Sequence, residues 1–467
     1  MGSDTQGAAP ERRLEDLRET VRREAHYRLM RVSRTNTVAR LGRVIRSSGE
    51  IVAVTGLPAP TGARCLIESA DGEWLAAEVV GFDADALQLM PERGTRGITR
   101  GARVRQAEAV QMPRVGLGLL GRVIDGEGEP LDGMALPELT HRWPLLGRPV
   151  NPMARERISE PLDCGVRIVN AMTTLGVGMR MGLFAGSGVG KSTLLGMMAR
   201  HAKADVVVVA LVGERGREVR EFIDKALGQS ALERAVVVAA PADTSALSRI
   251  HAAHRASAIA EFFRAQGANV LLMMDSLTRL AMAGREIGLA TGEPQAMRGY
   301  PPSTFSLIAS YLERAGQGPR GQGSITGIYT VLVEGDDHVA DPVADTARAT
   351  LDGHIVLNRG IAEAGLYPPL DLEASLSRVM NDIVGEDHRR AALRLRSLWS
   401  RLQQKRDLLD IGAYQPGADP LLDEAVNKRS AMEALLTQGL TEGCDMGRST
   451  SALEQVVMDR QPQGEEQ

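Results

Sequence analysis

Aromatic side chains are scarce in this 467-residue chain, making up only 3% of it. So few rings leave little from which to build a base-stacking platform for single-stranded nucleic acid. Cysteine is scarcer still: Cys65, Cys164 and Cys444 lie far apart and are odd in number. No C-x-x-C spacing occurs, so neither a zinc site nor a disulfide framework is expected, and a reducing, cytoplasmic setting is. Long apolar runs are absent as well. None reaches the ~18 residues of a membrane-spanning helix, so any membrane role is expected to run through partners. The polar opening Gly2–Gln6, followed by charges, does not read as a secretory leader. Charge of one sign is also lacking: the net charge of −4 does not point to a nucleic-acid partner.

What is present is ordinary globular composition, 43% hydrophobic and 24% charged. The length exceeds a single core, so two or three domains are expected. Residues 1–35 carry an amphipathic helix over Glu11–Met30, with Leu14, Leu17, Val21, Ala25 and Leu29 at spacings of three and four. It either packs on its own domain or binds a partner. Its mixed charges argue against a membrane surface. Over residues 36–110 the period changes to two. Six short β-type runs (Val44-Ile45, Ile51–Val54, Cys65–Ile67, Trp74–Val80, Ala86–Met90, Ala102–Arg105) are separated by turns such as Asp71-Gly72, which predicts a small β-barrel. Residues 111–156 read as a structured linker rich in Gly, Asp-Gly and Pro.

Residues 157–380 alternate apolar strands with helices: an α/β domain with a mostly parallel sheet. Strands are expected at Met181–Ala185, Asp205–Val212, Ala235–Ala240, Asn269–Asp275, Ser324–Val333 and His354–Leu357. Helices are expected at Arg217–Leu227, Leu247–Ala265 and Ser303–Arg314. Residues 381–467 are helical and charge-rich, with helices over Arg389–Arg406 and Leu421–Leu436.

The chemistry concentrates in Met181–Arg200, MGLFAGSGVGKSTLLGMMAR. An apolar strand enters a glycine-dense turn and leaves as a helix, the order of a P-loop. Ala185, Gly186, Ser187, Gly188, Val189 and Gly190 would wrap phosphates with backbone N–H groups, and Thr193, in the first helical turn, joins them in binding the nucleotide. Lys191 supplies positive charge and Ser192 a hydroxyl for Mg²⁺. The strict pattern has glycine at 185, so Ala185 is a variant. A second apolar strand ends in Asp275, a Walker B candidate for hydrated Mg²⁺. A third, LVGERGR, puts Glu214 at a strand's carboxyl end, where it either polarises the attacking water or forms a surface Glu–Arg pair.

These stretches, with GRVIDGEGEPLDG, LLMMDSLTRLAMAGREI, GYPPSTF, GSITGIYTVLVEGDD, LDGHIVLNR and YPPLDLEASLSRVM, resemble the catalytic subunits of rotary ATP synthases and, most closely, the flagellar protein-export ATPases. The resemblance covers nearly the whole chain. It implies a six-stranded barrel, a RecA-like P-loop domain with flanking helices and a C-terminal helical domain. By resemblance Lys191 contacts the β- and γ-phosphates, Glu214 polarises water, and Arg215 and Arg279 lie near the γ-phosphate. Asp275 joins Ser192 on Mg²⁺. Tyr367 stacks on adenine, and Tyr414 closes the adenine pocket. Arg378 is the arginine finger given to a neighbouring subunit. Residue by residue, Tyr367 also reads as a core aromatic and Arg378 as a local salt bridge.

The resemblance implies Mg²⁺-dependent ATP hydrolysis by a homohexamer that energises type III export of flagellar proteins, at the cytoplasmic face of the inner membrane. Implied partners are a regulator on the N-terminal helix, a coiled-coil stalk in the ring, export-gate membrane proteins and cargo–chaperone complexes, with no specific nucleic acid. Leu289-Ala290 and the Gly292–Pro302 loop are candidates for the ring channel. A virulence-injectisome ATPase shares the same motifs. An RNA-translocating ring ATPase shares DSLTRLA but not LVGERGR, and a non-catalytic rotary subunit does not fit Glu214 beside Lys191 and Asp275.

Overall fold

The computed structural model describes residues 21–22, 40–108, 110–333 and 341–457. Nearly all of the expected N-terminal helix, Glu11–Met30, lies outside the described residues.

Six strands form the first unit: β1 (Gly42–Ser48), β2 (Ile51–Thr55), β3 (Arg64–Glu68), β4 (Trp74–Asp83), β5 (Ala86–Pro91) and β6 (Arg103–Glu108). They close in the order β1-β2-β5-β4-β3-β6, every pair antiparallel. Alternate side chains face inward, so Cys65 and Ile67 of β3 are buried while Arg64, Leu66 and Glu68 are less so. Val52, Val54, Val79, Leu89 and Val104 complete the barrel core.

In chain order, the second unit contains β7 (Val123–Ile124), β8 (Arg180–Ala185), α1 (Lys191–His201), β9 (Val206–Val212), β10 (Ala235–Ala240), α2 (Ala246–Ala265), β11 (Asn269–Asp275), α3 (Leu277–Ala290), α4 (Pro302–Leu312), β12 (Ser324–Leu332), α5 (Pro342–Thr350), β13 (Gly353–Leu357) and β14 (Leu376–Ser377). The sheet runs β14-β13-β8-β12-β11-β9-β10-β7. All neighbours are parallel except β14, which is antiparallel to β13 at the edge. At the other edge, β7 comes from the glycine-rich segment after the barrel and pairs with β10.

Both faces of this sheet are buried, which is why its strands read as continuous apolar runs. Along β9, Val207, Val209 and Leu211 enter one core while Val206, Val208, Ala210 and Val212 enter the other. The second core packs α2 through α5, including Ile259, Phe263, Ile308 and Tyr311. Three of these helices start at side-chain caps: Ser245 for α2, Ser276 for α3, and Asp341 with Pro342 for α5.

The first core packs α1 and runs without a break into the C-terminal helices α6 (Glu386–Gln404), α7 (Pro420–Asn427), α8 (Arg429–Leu436) and α9 (Met446–Val457). Leu195 and Met198 of α1 share it with Leu395, Trp399, Leu422, Met432 and Leu453. Each such fully buried apolar side chain contributes roughly 1.5–3 kcal/mol relative to exposure.

Two helices differ from the sequence pattern. Over Leu421–Leu436 the chain bends at Lys428, making α7 and α8, so that Leu422 and Ala425 on one side and Met432 and Leu435 on the other reach the same core. Over Arg217–Leu227, an α-helix at Gly216–Glu221 widens into a π-helical turn at Phe222–Leu227. Arg200 of α1 donates to the Ala226 carbonyl, satisfying an acceptor in that wider turn.

Candidate active site

The P-loop lies where β8 ends. Ala185 is fully buried, its carbonyl accepts from Val333 N at 3.2 Å, and its φ is not positive, so nothing in the backbone there demands glycine. Val189 anchors the loop inward, while Ser187 and Gly188 are exposed and Gly186 is half-buried. Gly190 caps α1 in the left-handed region, φ 99°, where a side chain would be strained. Among the described residues no side chain caps α1. Its first amides therefore point outward beside exposed Ser192 and Thr193, with the positive end of the helix dipole behind them.

Three charged side chains converge next to this loop. β9 lies beside β11 in register Leu211↔Asp275, which brings Glu214 and Asp275 to neighbouring strand ends. Lys191 Nζ is 2.5 Å from Asp275 Oδ1 and 3.3 Å from Glu214 Oε1. Thr330 of β12 donates its hydroxyl to the same Asp275 oxygen at 2.7 Å. All three charged side chains are largely buried, at 12%, 14% and 4% exposure for Lys191, Glu214 and Asp275. Burial alone would lower the Lys191 ammonium, but Asp275 and Glu214 more than offset it and hold its pKa above the ordinary lysine value. Burial pushes the Glu214 carboxyl up to about 7, reinforced by the Asp275 charge and a hydrogen bond with Glu218, and only partly opposed by Lys191.

Gly213 sets the turn that carries Glu214. Its φ is +72°, and an added Cβ would lie 2.7 Å from Arg279 Cβ. The β9 turn thus lies directly on the stem of Arg279. Among the described residues the Arg279 Nε is buried without a partner, and its Nη1 meets Met282 Sδ at 3.5 Å. Gly213→Ala is expected to destabilise the protein by ~1–3 kcal/mol, from backbone strain plus the clash. Thermal denaturation checks this, and an unchanged Tm would contradict the packing described.

The remaining sequence-derived residues are placed differently. Arg215 points away from the cluster, 71% exposed and 3.5 Å from Glu218. Tyr367 is 45% exposed, at the end of a segment that starts beside the P-loop. Arg359 ties that segment to the loop by donating to the Ser187 carbonyl at 3.1 Å. The Tyr414 hydroxyl is bound to Asp423 at 2.7 Å and to the Asp419 carbonyl at 3.2 Å, at the start of α7. Arg378 is exposed, with a 3.3 Å contact to the Arg348 carbonyl. It follows Ser377, which pairs with Gly353 at the beginning of β13, whereas the P-loop abuts the end of β13 through Ala185↔Leu357. Arg378 is therefore a strand's length, ~13 Å, from its own P-loop.

The donor set suits a hard cation. The Ser192 hydroxyl and the Asp275 carboxylate offer oxygen donors on adjoining elements that would suit Mg²⁺ shared with phosphate. Sequence reasoning missed Thr330, Gly213 and Arg359. Thr330 alone left a signal, as a polar residue inside an apolar strand.

A parallel sheet with a phosphate loop after one strand and buried carboxylates after two others defines a P-loop nucleotide hydrolase. Residues 165–377 match the model of the ATP synthase alpha/beta family, nucleotide-binding domain, and residues 384–455 that of the T3SS EscN ATPase C-terminal domain. The chain is 51% identical to the flagellum-specific ATP synthase of Salmonella typhimurium over 90% of its length and 94% of that protein. It is 48% identical to the type 3 secretion system ATPase of Xanthomonas euvesicatoria over 85% of its length and 90% of that protein. The structure of the assembled ATPase EscN from the enteropathogenic E. coli type III secretion system superposes with a TM-score of 0.84 at 42% identity, covering 89% of this chain and 100% of that one. The chain thus belongs to the flagellar and type III secretion ATPases of the ATP synthase alpha/beta family. It is an ATPase.

Proposed function

We propose that this ATPase hydrolyses Mg²⁺-bound ATP at the interfaces of a homohexameric ring and energises type III export of flagellar proteins. The observation that carries the catalytic reading is the convergence of Lys191, Glu214 and Asp275 at the open end of α1. Phosphate oxygens enter at the α1 amides, and Lys191 turns from the two carboxylates toward them. Freed of Lys191, Glu214 orients the attacking water and accepts its proton. Ser192 and Asp275 hold Mg²⁺, which when bound neutralises charge on the phosphates. Arg279, with its unpartnered Nε, supplies charge near the γ-phosphate, and Arg215 reaches the site only by leaving Glu218. Tyr367 stacks on adenine, and Tyr414 closes that pocket.

The placement of Arg378 supports a finger acting in trans. Its distance along β13 leaves it for a neighbour's site, so each site is completed by Arg378 of the partner subunit. A homohexamer with a coiled-coil stalk in its centre is in keeping with the similarity to EscN, which has been solved both assembled and in complex with its central stalk EscO. The Gly292–Pro302 loop, carrying exposed Met297, is the candidate channel surface. A regulator on the N-terminal helix, export-gate proteins and cargo–chaperone complexes complete the proposed partners. Among the described residues no helix is long and apolar enough to cross a membrane. The proposed location is the cytoplasm, at the inner-membrane face of the export apparatus.

The flagellar assignment is favoured by the 51% identity to the Salmonella flagellar protein. The injectisome reading has its own support in the 48% identity to the Xanthomonas secretion ATPase. Deleting the gene separates them. Non-motile cells lacking external filaments, restored by the intact gene, are the expected result. Motile cells that fail to secrete through a virulence needle would replace the flagellar reading with the injectisome one.

A further inference from the structure

We propose that Gln438, in the C-terminal helical domain, is a positioning residue for the nucleotide's base: it holds the backbone of Tyr367 in place. The inference rests on the reading of Tyr367 as the base-stacking ring. It adds that the docking of the C-terminal domain sets base affinity.

The segment from Asn358 to Tyr367 is held at both ends. At its start, Arg359 donates to the Ser187 carbonyl of the P-loop at 3.1 Å, and the Asn358 side chain accepts from Gly360 N at 2.8 Å. At its end, the Tyr367 carbonyl accepts from Gln438 N at 2.8 Å. Tyr367 stays 45% exposed, so little packing holds its ring and its backbone anchorage helps to place it.

Gln438 is 5% exposed, and two of its three side-chain amide bonds cross from one domain to the other. Oε1 accepts from Arg167 N at 2.6 Å, while Nε2 donates to the Gly165 carbonyl at 2.9 Å and to the Glu442 carbonyl at 2.7 Å. Arg167 also reaches back, donating to the carbonyls of Ala434 and Thr437 at 3.0 Å and 2.9 Å. Removing the amide would strand buried donors and acceptors, so the turn at 438 would shift rather than leave them unpaired. The same turn touches the far end of the phosphate helix, where Arg200 donates to the Leu440 carbonyl and Cys444 N to the Gly165 carbonyl at 3.0 Å. That contact lies at the C-terminal end of α1, away from the amides that face phosphate, whereas the bond to the Tyr367 carbonyl lies at the base end itself.

Gln438→Met keeps the volume and removes the side-chain bonds. In the full-length ATPase it is expected to raise KM for ATP ~10-fold, the scale of one stacking contact, with kcat within about twofold. Inhibition by inorganic tripolyphosphate, which has no base, is expected to be unchanged. Tyr367→Ala is expected to raise KM similarly, and the double variant to add nothing further. An unchanged KM in Gln438→Met, an equal loss of tripolyphosphate inhibition, or full additivity with Tyr367→Ala would each overturn the proposal. If Tyr367→Ala alone leaves KM unchanged, it is the stacking reading that fails. Should Gln438→Met not fold, Arg167→Met loosens the same turn, and absence of an ATP-specific rise in KM there overturns the proposal equally.

Discussion

Arg378→Ala is expected to turn over ATP ~10³-fold or more slowly than the wild-type chain while binding nucleotide within about threefold of it. The geometry gives both halves of that result. Within its own chain, Arg378 follows the edge strand that pairs with the start of β13, and the phosphate loop adjoins the other end. It therefore makes no contribution to the ground-state pocket of its own subunit. In a ring it would meet the neighbour's γ-phosphate, where charge develops during transfer and where a guanidinium acts mainly on the transition state. Steady-state turnover and equilibrium binding of a fluorescent nucleotide separate the two effects. Loss of binding in proportion to turnover would remove Arg378 from the role of finger.

Glu214→Gln is expected to retain ATP and lose hydrolysis by ~10²–10⁴-fold, the usual worth of a positioned general base. Its pH behaviour is the sharper test. Burial, with the Asp275 charge and the Glu218 hydrogen bond, lifts the Glu214 carboxyl from 4.5 to about 7. The base form is then the minority species in mild acid, so wild-type kcat/KM should fall as pH drops through about 7. A raised carboxyl pKa also favours the protonated form in the fold. Its stabilising contribution is complete below 4.5 and is lost as pH rises through about 7. Glutamine cannot ionise, so the variant should unfold at a higher temperature than wild type at pH ~8 and show no such advantage at pH ~4. An acid limb near 4.5, or an equal Tm difference at both pH values, would show that Glu214 is not the raised group.

Much of the fold was legible because burial leaves a simple imprint. β10 and β11 carry the bounds read from their apolar runs, Ala235–Ala240 and Asn269–Asp275, since both faces of each are covered. The barrel strands showed through their period of two. β7 was not legible: two residues, Val123 and Ile124, have no period, and their place at the sheet edge comes from pairing with β10 over a hundred residues later. The bend at Lys428 was hidden for a similar reason, since each half of the stretch is a good helix and only the shared core requires the break.

The site divides along the same line. Lys191, Glu214 and Asp275 follow strands recognisable as strands, and the parallel register then brings them together. Thr330, Gly213 and Gln438 act through contacts set by tertiary packing. Gln438 meets Gly165 and Arg167 across some 270 positions of sequence, and no local pattern encodes such a bond.

The central claim is that each site is shared between two subunits. Mixing Arg378→Ala and Glu214→Gln chains tests it most directly, since each variant alone is expected to be nearly inactive. In a mixed ring, an Arg378→Ala subunit with intact Glu214 can receive Arg378 from a Glu214→Gln neighbour. About a quarter of the interfaces of a random equimolar mixture would then be complete, and ATPase activity should appear on mixing. If both groups serve the same chain's site, no interface is repaired, and a mixture as inactive as its components would contradict the claim.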